Sequence, residues 1–297
     1  MKTILAAVCA AVLLSGLLSA CSPLSVLNAT TSADGLRQVE GVAYGDGPRR
    51  KLDLYVPETA AAARRPVVVF FYGGAWQTGS RADYRFAGRA LASEGFVVVV
   101  PDYRVHPEVG YPAFLEDSAA AVRWARDHAA EYGGDPDQLF VMGHSSGAYN
   151  AAMLALDGRW LNAVGLDPKR DLRGWIGLSG PYDFAPIVDP VVQTIFGPRS
   201  RWPSTQPIAY ASAGAPPALL LTGDDDARVQ AANSQRLAAR LEAVNVPVQL
   251  TLYPGVGHAR TVVALASGFR SGTPVLQTTA DFIRGRSPAT QTMSLPQ

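Results

Sequence analysis

Cysteine is scarce in this chain: only Cys9 and Cys21 occur among its 297 residues. Residues 1–20 have the pattern of a signal peptide, because a positively charged start is followed by an apolar run that is short for a membrane span. Cleavage of such a segment would leave one cysteine, which excludes a disulfide within the processed chain. A lone thiol in a compartment that permits disulfides calls for another explanation.

The residues that end at Cys21 supply that explanation. The sequence Leu18-Ser-Ala-Cys21 is typical of a bacterial lipobox, in which cleavage precedes a cysteine that carries lipid. We therefore predict a lipid anchor (palmitate) at Cys21, a tether over residues 21–36, and a location on a membrane of the bacterial cell envelope. Ser22, a non-acidic residue after the cysteine, favours the outer membrane. The alternative is an ordinary signal peptide followed by an accidental cysteine.

The chain also lacks an excess of charge and lacks repeats. It has 26 Lys and Arg against 25 Asp and Glu, so no electrostatic footprint favours a nucleic-acid partner. No internal repeat or extended low-complexity tract is present. The roughly 277 residues that follow the signal segment suit one α/β domain, which we place at residues 37–285. Residues 286–297 are polar, and we predict a flexible tail there.

Apolar runs alternate with helical stretches through residues 37–285. The later apolar runs lack strict alternation, as expected when helices cover both faces of a sheet. The pattern predicts a mostly parallel, doubly wound sheet of about eight strands with an antiparallel hairpin at its start. Strands are predicted at Gln38–Tyr44, Lys51–Val56, Val67–Tyr72, Phe96–Val100, Leu139–Met142, Trp175–Leu178, Ala218–Leu221 and Val248–Tyr253, and helices at Ala82–Ser93, Ala113–Glu131, Ala148–Leu156, Val229–Val244 and Val275–Ile283.

A Gly-x-Ser-x-Gly motif, Gly143-His-Ser145-Ser-Gly147, lies between a predicted strand and a predicted helix. This is the context of a nucleophile elbow, in which a tight turn projects the serine hydroxyl clear of the sheet. The motif alone is weak, because it arises often by chance. With its flanking strand and helix, it makes Ser145 a candidate nucleophile.

Histidine is also scarce, with four in the chain. An activated serine needs a base within hydrogen-bond reach. His128 lies in a charged helical run, His144 is too close in sequence to turn back onto Ser145, and His106 follows a strand end and suits a structural role. His258 follows a late strand in a glycine-containing loop, where the base of this architecture belongs.

The acid that orients the base is expected between the serine and the histidine in sequence. A short apolar run ends in three adjacent carboxylates, Asp224, Asp225 and Asp226. Their spacing from Gly223 and Val229 favours Asp226, with Asp225 as runner-up. The alternative is that this acidic run caps the helix that follows, and both roles can coexist.

Acyl transfer also needs preorganised N–H donors for a developing oxyanion. The apolar strand Val67–Phe71 ends in Tyr72-Gly-Gly-Ala-Trp76, and this pattern matches the His-Gly-Gly-Gly type of oxyanion loop. The donors would be the backbone N–H groups of Gly74, Ala75 and Ser146. The alternative is that the two glycines form an ordinary turn.

Taken together, these motifs resemble the α/β-hydrolase superfamily, and most closely its carboxylesterase and lipase branch. The resemblance covers about residues 39–285 and implies the α/β-hydrolase fold, a Ser-Asp-His triad that cleaves carboxylic esters, and no metal or cofactor. Tyr72 departs from the pattern, since many relatives have histidine there, which puts loop support and substrate preference in doubt. Further motifs match in order: Val97-Val-Val-Val-Pro-Asp-Tyr-Arg104, Pro112-Ala-Phe-Leu-Glu-Asp117, Trp124, Gly133-Gly-Asp-Pro-Asp137, Ser179-Gly-Pro-Tyr-Asp183 and Tyr253-Pro-Gly-Val-Gly-His258.

Residues 181–217 interrupt the alternation and are rich in proline and aromatic residues. A stretch this long between strands is usually functional or disordered. We predict a small cap over the active site, with Trp76, Tyr182, Phe196 and Trp202 as substrate-binding residues. The alternative is surface packing without substrate contact.

The natural substrate stays open at this point. A small-molecule ester or a polysaccharide-linked ester is compatible with a location on the cell envelope. An amidase, such as an arylformamidase, or a peptidase is the alternative on the same fold. A non-catalytic binding protein is a third possibility, since fold does not determine function.

Overall fold

The computed structural model describes residues 23–285. The predicted signal peptide, the predicted lipidation site Cys21 and the predicted tail over residues 286–297 lie outside the described residues. Those three predictions stay predictions.

Eight strands of the described part form one sheet, in the order β1-β2-β4-β3-β5-β6-β7-β8. β2 pairs antiparallel with β1 and with β4, and the other pairings are parallel, as predicted. Every residue of β4, β6 and β7 is buried, which fits strands covered on both faces. The strands are β1 Leu36–Ala43, β2 Lys51–Pro57, β3 Arg65–Phe71, β4 Val97–Pro101, β5 Gly134–His144, β6 Gly174–Leu178, β7 Ala218–Gly223 and β8 Val248–Tyr253.

Ten α-helices lie between and beside these strands in residues 23–285. All five predicted helices are present, although those predicted to begin at Ala82 and Val229 begin about one turn later. The helices are α1 Pro23–Thr30, α2 Arg85–Ser93, α3 Ala113–His128, α4 Ser146–Leu156, α5 Arg159–Asn162, α6 Pro168–Asp171, α7 Pro190–Phe196, α8 Ala232–Glu242, α9 Arg260–Val263 and α10 Val275–Ile283.

Helix α1 corrects the predicted tether over residues 21–36. Leu27 on this helix is only 4% exposed and belongs to the hydrophobic core. Asn28 donates to the carbonyl of Ala82 and accepts from the N–H of Phe86, at 3.0 and 2.8 Å. Arg89 donates to the carbonyl of Asn28 at 2.8 Å. Residues 23–30 are therefore a helix docked against α2, because one apolar residue and one amide match partners far away in the sequence.

Residues 179–217 connect β6 to β7 and contain α7 and two short 3-10 helices, Arg199–Thr205 and Pro207–Tyr210. Two buried amides hold the start of this cap segment. The Asn233 side chain accepts from the N–H groups of residues 182 and 183, and the Gln206 side chain accepts from those of residues 184 and 185. These four hydrogen bonds take the place of the backbone hydrogen bonds of a helix or a sheet. Residues 182–185 are therefore held in place although they form neither element.

Membrane spans and metal clusters are both absent from residues 23–285. None of the helices there has both the length and the apolar composition to cross a bilayer. Over the same residues, no three His, Cys, Asp or Glu side chains are grouped to hold a metal ion.

Candidate active site

Ser145 sits on the turn between β5 and α4 in a strained conformation, with φ 55° and ψ −122°. The turn is tight because its flanking glycines touch backbone. A Cβ on Gly143 would lie 2.2 Å from the carbonyl oxygen of Gly147, and one on Gly147 would lie 2.1 Å from that of Phe71. Only glycine fits these positions, and strain of this kind is concentrated at functional sites.

Ser145, His258 and Asp226, the three residues assigned from the sequence to a triad, form one hydrogen-bonded chain. The Ser145 hydroxyl lies 2.9 Å from Nε2 of His258, and Nδ1 of His258 lies 2.8 Å from Oδ2 of Asp226. His258 is on the loop after β8, and Asp226 is on the loop after β7. Because these neighbouring strands are parallel, their carboxyl ends bring both loops to the edge of the sheet where the elbow lies.

The three adjacent carboxylates have different environments. Asp226 is buried, and its second oxygen accepts from the N–H groups of Arg228 and Val229 at 3.0 and 2.8 Å. Asp224 accepts from the N–H of Gly255 at 2.7 Å and so fixes the loop that carries the histidine. Asp225 is exposed. The carboxylate that contacts His258 is therefore Asp226, and it also closes the turn that precedes α8.

Opposing effects act on the pKa of the Asp226 carboxyl. Burial by itself would raise this pKa. The hydrogen bonds from His258 and from the two backbone N–H groups outweigh burial, so the pKa lies below its usual value. The carboxylate thus stays ionised through the neutral range and can stabilise a positive charge on the imidazole.

The N–H groups of Ala75 and Ser146 have no acceptor among the described residues. The carbonyl of Gly74 accepts from the N–H groups of residues 77 and 78, and the carbonyl of Ser145 accepts from the N–H of Tyr149. Because a trans peptide is planar, the N–H of Ala75 and the N–H of Ser146 point the opposite way from these carbonyls. The second also lies at the start of α4, where N–H groups lack partners within the helix.

The loop that carries Ala75 has an unusual backbone. Gly74, Ala75 and Trp76 have φ angles of 142°, 52° and 58°, so three successive residues are left-handed. A Cβ on Gly74 would lie 2.2 Å from the carbonyl oxygen of Thr78. The alternative of an ordinary turn does not describe this loop, because ordinary turns need at most two such residues.

Tyr72, the residue that departs from the resemblance, contacts side chains that the sequence reasoning did not assign. Its hydroxyl donates to Asp102 at 3.0 Å, and its ring stacks on Tyr103 at 4.7 Å. The hydroxyl of Tyr103 donates to the carbonyl of Tyr72 at 2.7 Å. Arg81 forms an ion pair with Asp102. The pair Asp102-Tyr103 is visible in the sequence, but its partners Tyr72 and Arg81 lie more than twenty residues away.

His144 has no catalytic role in the sequence-based prediction, yet it lies against the base. Its ring is 5.0 Å from the ring of His258, and its Nε2 lies 3.2 Å from the carbonyl oxygen of His258. The residue is only 5% exposed. Burial and the neighbouring His258 lower the pKa of His144 to about 3. His106 and His128 take no part in the site: the first bonds through its backbone to Trp76, and the second pairs with Glu131.

The lowered pKa of His144 predicts that the free energy of unfolding falls in acid. The unfolded residue binds a proton below its ordinary pKa of 6.5, but the folded residue binds one only near pH 3. Its contribution to stability is therefore complete above pH 6.5 and is lost as the pH falls. We expect this group to remove about 2 kcal/mol from the free energy of unfolding between pH 7 and pH 5. Urea unfolding at both pH values measures this.

A His144→Gln variant should lose that part of the pH dependence. His128→Gln is the matched control, because His128 lies at the surface on a pair with Glu131 and should change the slope little. Equal pH dependence in the wild type and in His144→Gln would show that the buried histidine is not the cause.

At least five aromatic rings form a cluster beside the loop that carries Ala75: those of Trp76, Phe114, Tyr149, Phe184 and Phe196. Trp76 is 3% exposed and contacts the rings of Phe196 at 4.8 Å, Tyr149 at 5.1 Å and Phe184 at 6.2 Å. Tyr149 is one helical turn after Ser145, and its hydroxyl donates to the carbonyl of Thr205 in the cap segment. The cap therefore packs directly on the loop that carries Trp76 and on the helix that follows Ser145. The substrate-binding role of Trp76 and Phe196 stays a prediction.

The other two predicted pocket residues lie elsewhere. Tyr182 is fully buried, with its hydroxyl against Gly177 and its ring edge-on to Trp175, so the structure does not support it as a substrate-binding residue. Trp202 is buried within the cap, where its indole N–H donates to the carbonyl of Gly197. Neither position is separable from Phe196 in the sequence, because all of them are aromatic residues in one proline-rich segment.

Comparison with known proteins identifies the family and the fold of the chain. Residues 52–241 match the BD-FAE family. The chain is 32% identical over 256 residues to a probable isoprenylcysteine alpha-carbonyl methylesterase of Oryza sativa subsp. japonica, covering 80% of this chain and 61% of the relative. It is 30% identical over 249 residues to esterase LipC of Mycobacterium tuberculosis, covering 78% of this chain and 61% of the relative. The chain thus spans about three fifths of the length of these relatives.

Among solved structures, the inhibited esterase B from Lactobacillus rhamnosis superposes with a TM-score of 0.76 at 19% identity. The superposition covers 95% of this chain and 96% of that one. At 19% identity, this likeness shows the fold alone, which is the predicted α/β-hydrolase fold. The family match spans most strands of the sheet and includes the turn at Ser145. The chain therefore belongs to the BD-FAE family and has the α/β-hydrolase fold.

Proposed function

We propose that this protein is a serine hydrolase that cleaves carboxylic esters through an acyl-enzyme intermediate. The observation that carries the proposal is the continuous chain from the Ser145 hydroxyl through His258 to Asp226, at 2.9 and 2.8 Å, on a strained elbow. The rice and mycobacterial relatives are both named as esterases, which supports the same reaction class for this chain.

Acylation begins when Ser145 Oγ attacks the ester carbonyl carbon while its proton passes to Nε2 of His258. The ionised Asp226 holds Nδ1–H of the same ring and stabilises the imidazolium. The carbonyl oxygen becomes an oxyanion, for which the unpaired N–H groups of Ala75 and Ser146 are donors, with that of Gly74 beside them. When the C–O bond breaks, the imidazolium gives its proton to the leaving alcohol, and the acyl group stays on Ser145.

Deacylation repeats these steps with water as the nucleophile. His258 takes a proton from the water as the water attacks the acyl carbon, and an oxyanion forms again in the same place. Collapse of this intermediate returns the proton to Ser145 Oγ and releases the acid. The residues named here account for every proton transfer, since the base that accepts the serine proton is the acid that protonates each leaving group.

Hydrolysis of p-nitrophenyl esters from acetate to palmitate, with the matching p-nitroanilides and N-formylaniline, tests the reaction class. We expect turnover of the short esters with a burst of p-nitrophenol equal to the enzyme concentration, where deacylation is the slower step. Turnover of the amides or of the formanilide at a higher kcat/KM than the esters would favour the amidase alternative. No turnover of any of them would overturn the proposal and leave a binding function.

The aromatic cluster around Trp76 should limit the length of the acyl chain that the site accepts. Phe196→Ala removes a ring that packs on Trp76, and the space left should admit longer acyl chains. We expect the ratio of kcat/KM for hexanoate over acetate to rise about tenfold, which a pocket gain of a few methylenes can supply. Trp202→Ala is the control, since its ring bonds within the cap. An unchanged ratio in Phe196→Ala would remove the acyl-pocket role of the cluster.

We also propose that Cys21 carries a lipid that holds the enzyme on a membrane of the cell envelope. The support is the Leu18-Ser-Ala-Cys21 motif, because a lipid anchor explains a single cysteine after an apolar signal segment. In a bacterial host fed with radiolabelled palmitate, we expect label on the wild type and none on Cys21→Ser. The matched control Ser22→Ala should keep the label. Label on Cys21→Ser would contradict the assignment.

A further inference from the structure

His144 connects the strand that carries the nucleophile to the loop that carries the base. It is the last residue of β5 and directly precedes Ser145. Its ring reaches across to the neighbouring loop, where Nε2 lies 3.2 Å from the carbonyl oxygen of His258. Ser145 and His258 are therefore linked twice: once through the reacting atoms, and once through a contact that the chemistry does not use.

The direction of this second contact follows from its acceptor. A carbonyl oxygen only accepts hydrogen bonds, so Nε2 of His144 must carry the hydrogen. Nδ1 is then unprotonated, and it is buried without a partner among the described residues. Gly73 lies against it, since a Cβ there would be 2.9 Å from Nδ1. The ring is held edge-on between two backbone segments, in one tautomer.

The carbonyl of His258 has a second donor. The hydroxyl of Thr261 lies 3.0 Å from the same oxygen and 3.1 Å from the hydroxyl of Ser179. Two donors from different elements fix the rotation of the peptide that follows the His258 side chain. That side chain is on a loop with no strand or helix of its own until Arg260, so its orientation depends on such contacts.

We propose that His144 is a positioning residue, which holds the backbone of His258 so that its imidazole faces both Ser145 and Asp226. This inference rests on the proposed function, because it assigns His258 as the base. Loss of the donor would let the loop shift, and a misplacement of about 1 Å at a reacting group can cost about 100-fold in rate. His144 is only 5% exposed, so we expect the loss to fall on kcat rather than on KM.

The test compares His144→Leu, which has no donor, with His144→Gln, whose side-chain amide can reach the same carbonyl. We expect His144→Leu to lower kcat for p-nitrophenyl acetate by about 10- to 100-fold with KM within about twofold. His144→Gln should recover most of the lost kcat, although both variants lose the histidine ring. Thermal unfolding shows whether each variant is folded at the assay temperature.

A second readout separates positioning from packing. The proton shared between Nδ1 of His258 and Asp226 should give a low-field proton resonance, which we expect to broaden or shift in His144→Leu and to persist in His144→Gln. Equal losses of kcat in both variants, or an unchanged kcat in His144→Leu, would overturn the inference. If the wild type hydrolyses no ester, the proposed function fails, and the resonance alone still decides whether His144 orders His258.

Discussion

The Ser145→Ala variant should retain no more than about one ten-thousandth of the wild-type kcat for p-nitrophenyl acetate. Alanine removes the atom that attacks the carbonyl and leaves His258 and Asp226 in contact. The backbone N–H donors do not depend on the side chain, so a small rate above that of water should remain. Steady-state kinetics measures the fall, and the burst of p-nitrophenol should disappear with it.

Folding should be unaffected by this change, because the Ser145 side chain bonds only to His258 among the described residues. Ser204→Ala is a matched control: the Ser204 hydroxyl bonds to the carbonyl of Arg201 on the exposed cap surface, so its kcat should stay within about twofold. Retention of more than a tenth of the wild-type kcat in Ser145→Ala would rule out this serine as the nucleophile.

Asp226→Asn should lower kcat by about 10⁴-fold, although asparagine has nearly the same shape. The amide can donate to Nδ1 of His258, which favours the tautomer with its hydrogen on Nε2. That tautomer cannot accept the proton of Ser145. The loss of the negative charge also removes the stabilisation of the imidazolium, since the carboxylate is fully buried.

Asp225→Asn provides the closest possible control, because the two carboxylates are adjacent in sequence and differ only in environment. Asp225 is exposed, so we expect its kcat to stay within about twofold of the wild type. The pair of variants is measured on the same ester at the same pH. A larger loss in Asp225→Asn than in Asp226→Asn would mean that the loop rearranges to present the other carboxylate.

The sheet and the elbow are predictable because their signals are local. A run such as Val97–Pro101 is apolar at every position, and a Gly-x-Ser-x-Gly turn needs its glycines at fixed offsets. The choice between Asp225 and Asp226 is harder. Both follow the same strand, and only the fold decides which carboxylate turns inward toward His258.

Features that depend on distant partners escape sequence-based prediction. The docking of α1 requires Asn28 to meet Ala82 and Phe86, and no local pattern reports such a contact. The contact between His144 and the carbonyl of His258 has no local signal either, because the two residues are 114 positions apart in the sequence. On sequence alone, Tyr182 is assigned to the substrate pocket because it is an aromatic residue in the cap segment, whereas its hydroxyl lies against Gly177.

Under the proposed function, Trp76 would link substrate range to reaction rate. It follows Ala75, the proposed oxyanion donor, in a left-handed conformation, and its indole N–H is held by Asn150 at 3.1 Å while Phe196 supports its ring. A change that enlarges the acyl pocket by loosening this tryptophan also loosens the peptide that must face the oxyanion. Evolution of this enzyme toward bulkier esters would therefore proceed through compensating pairs of substitutions, one that opens space and one that restores the loop.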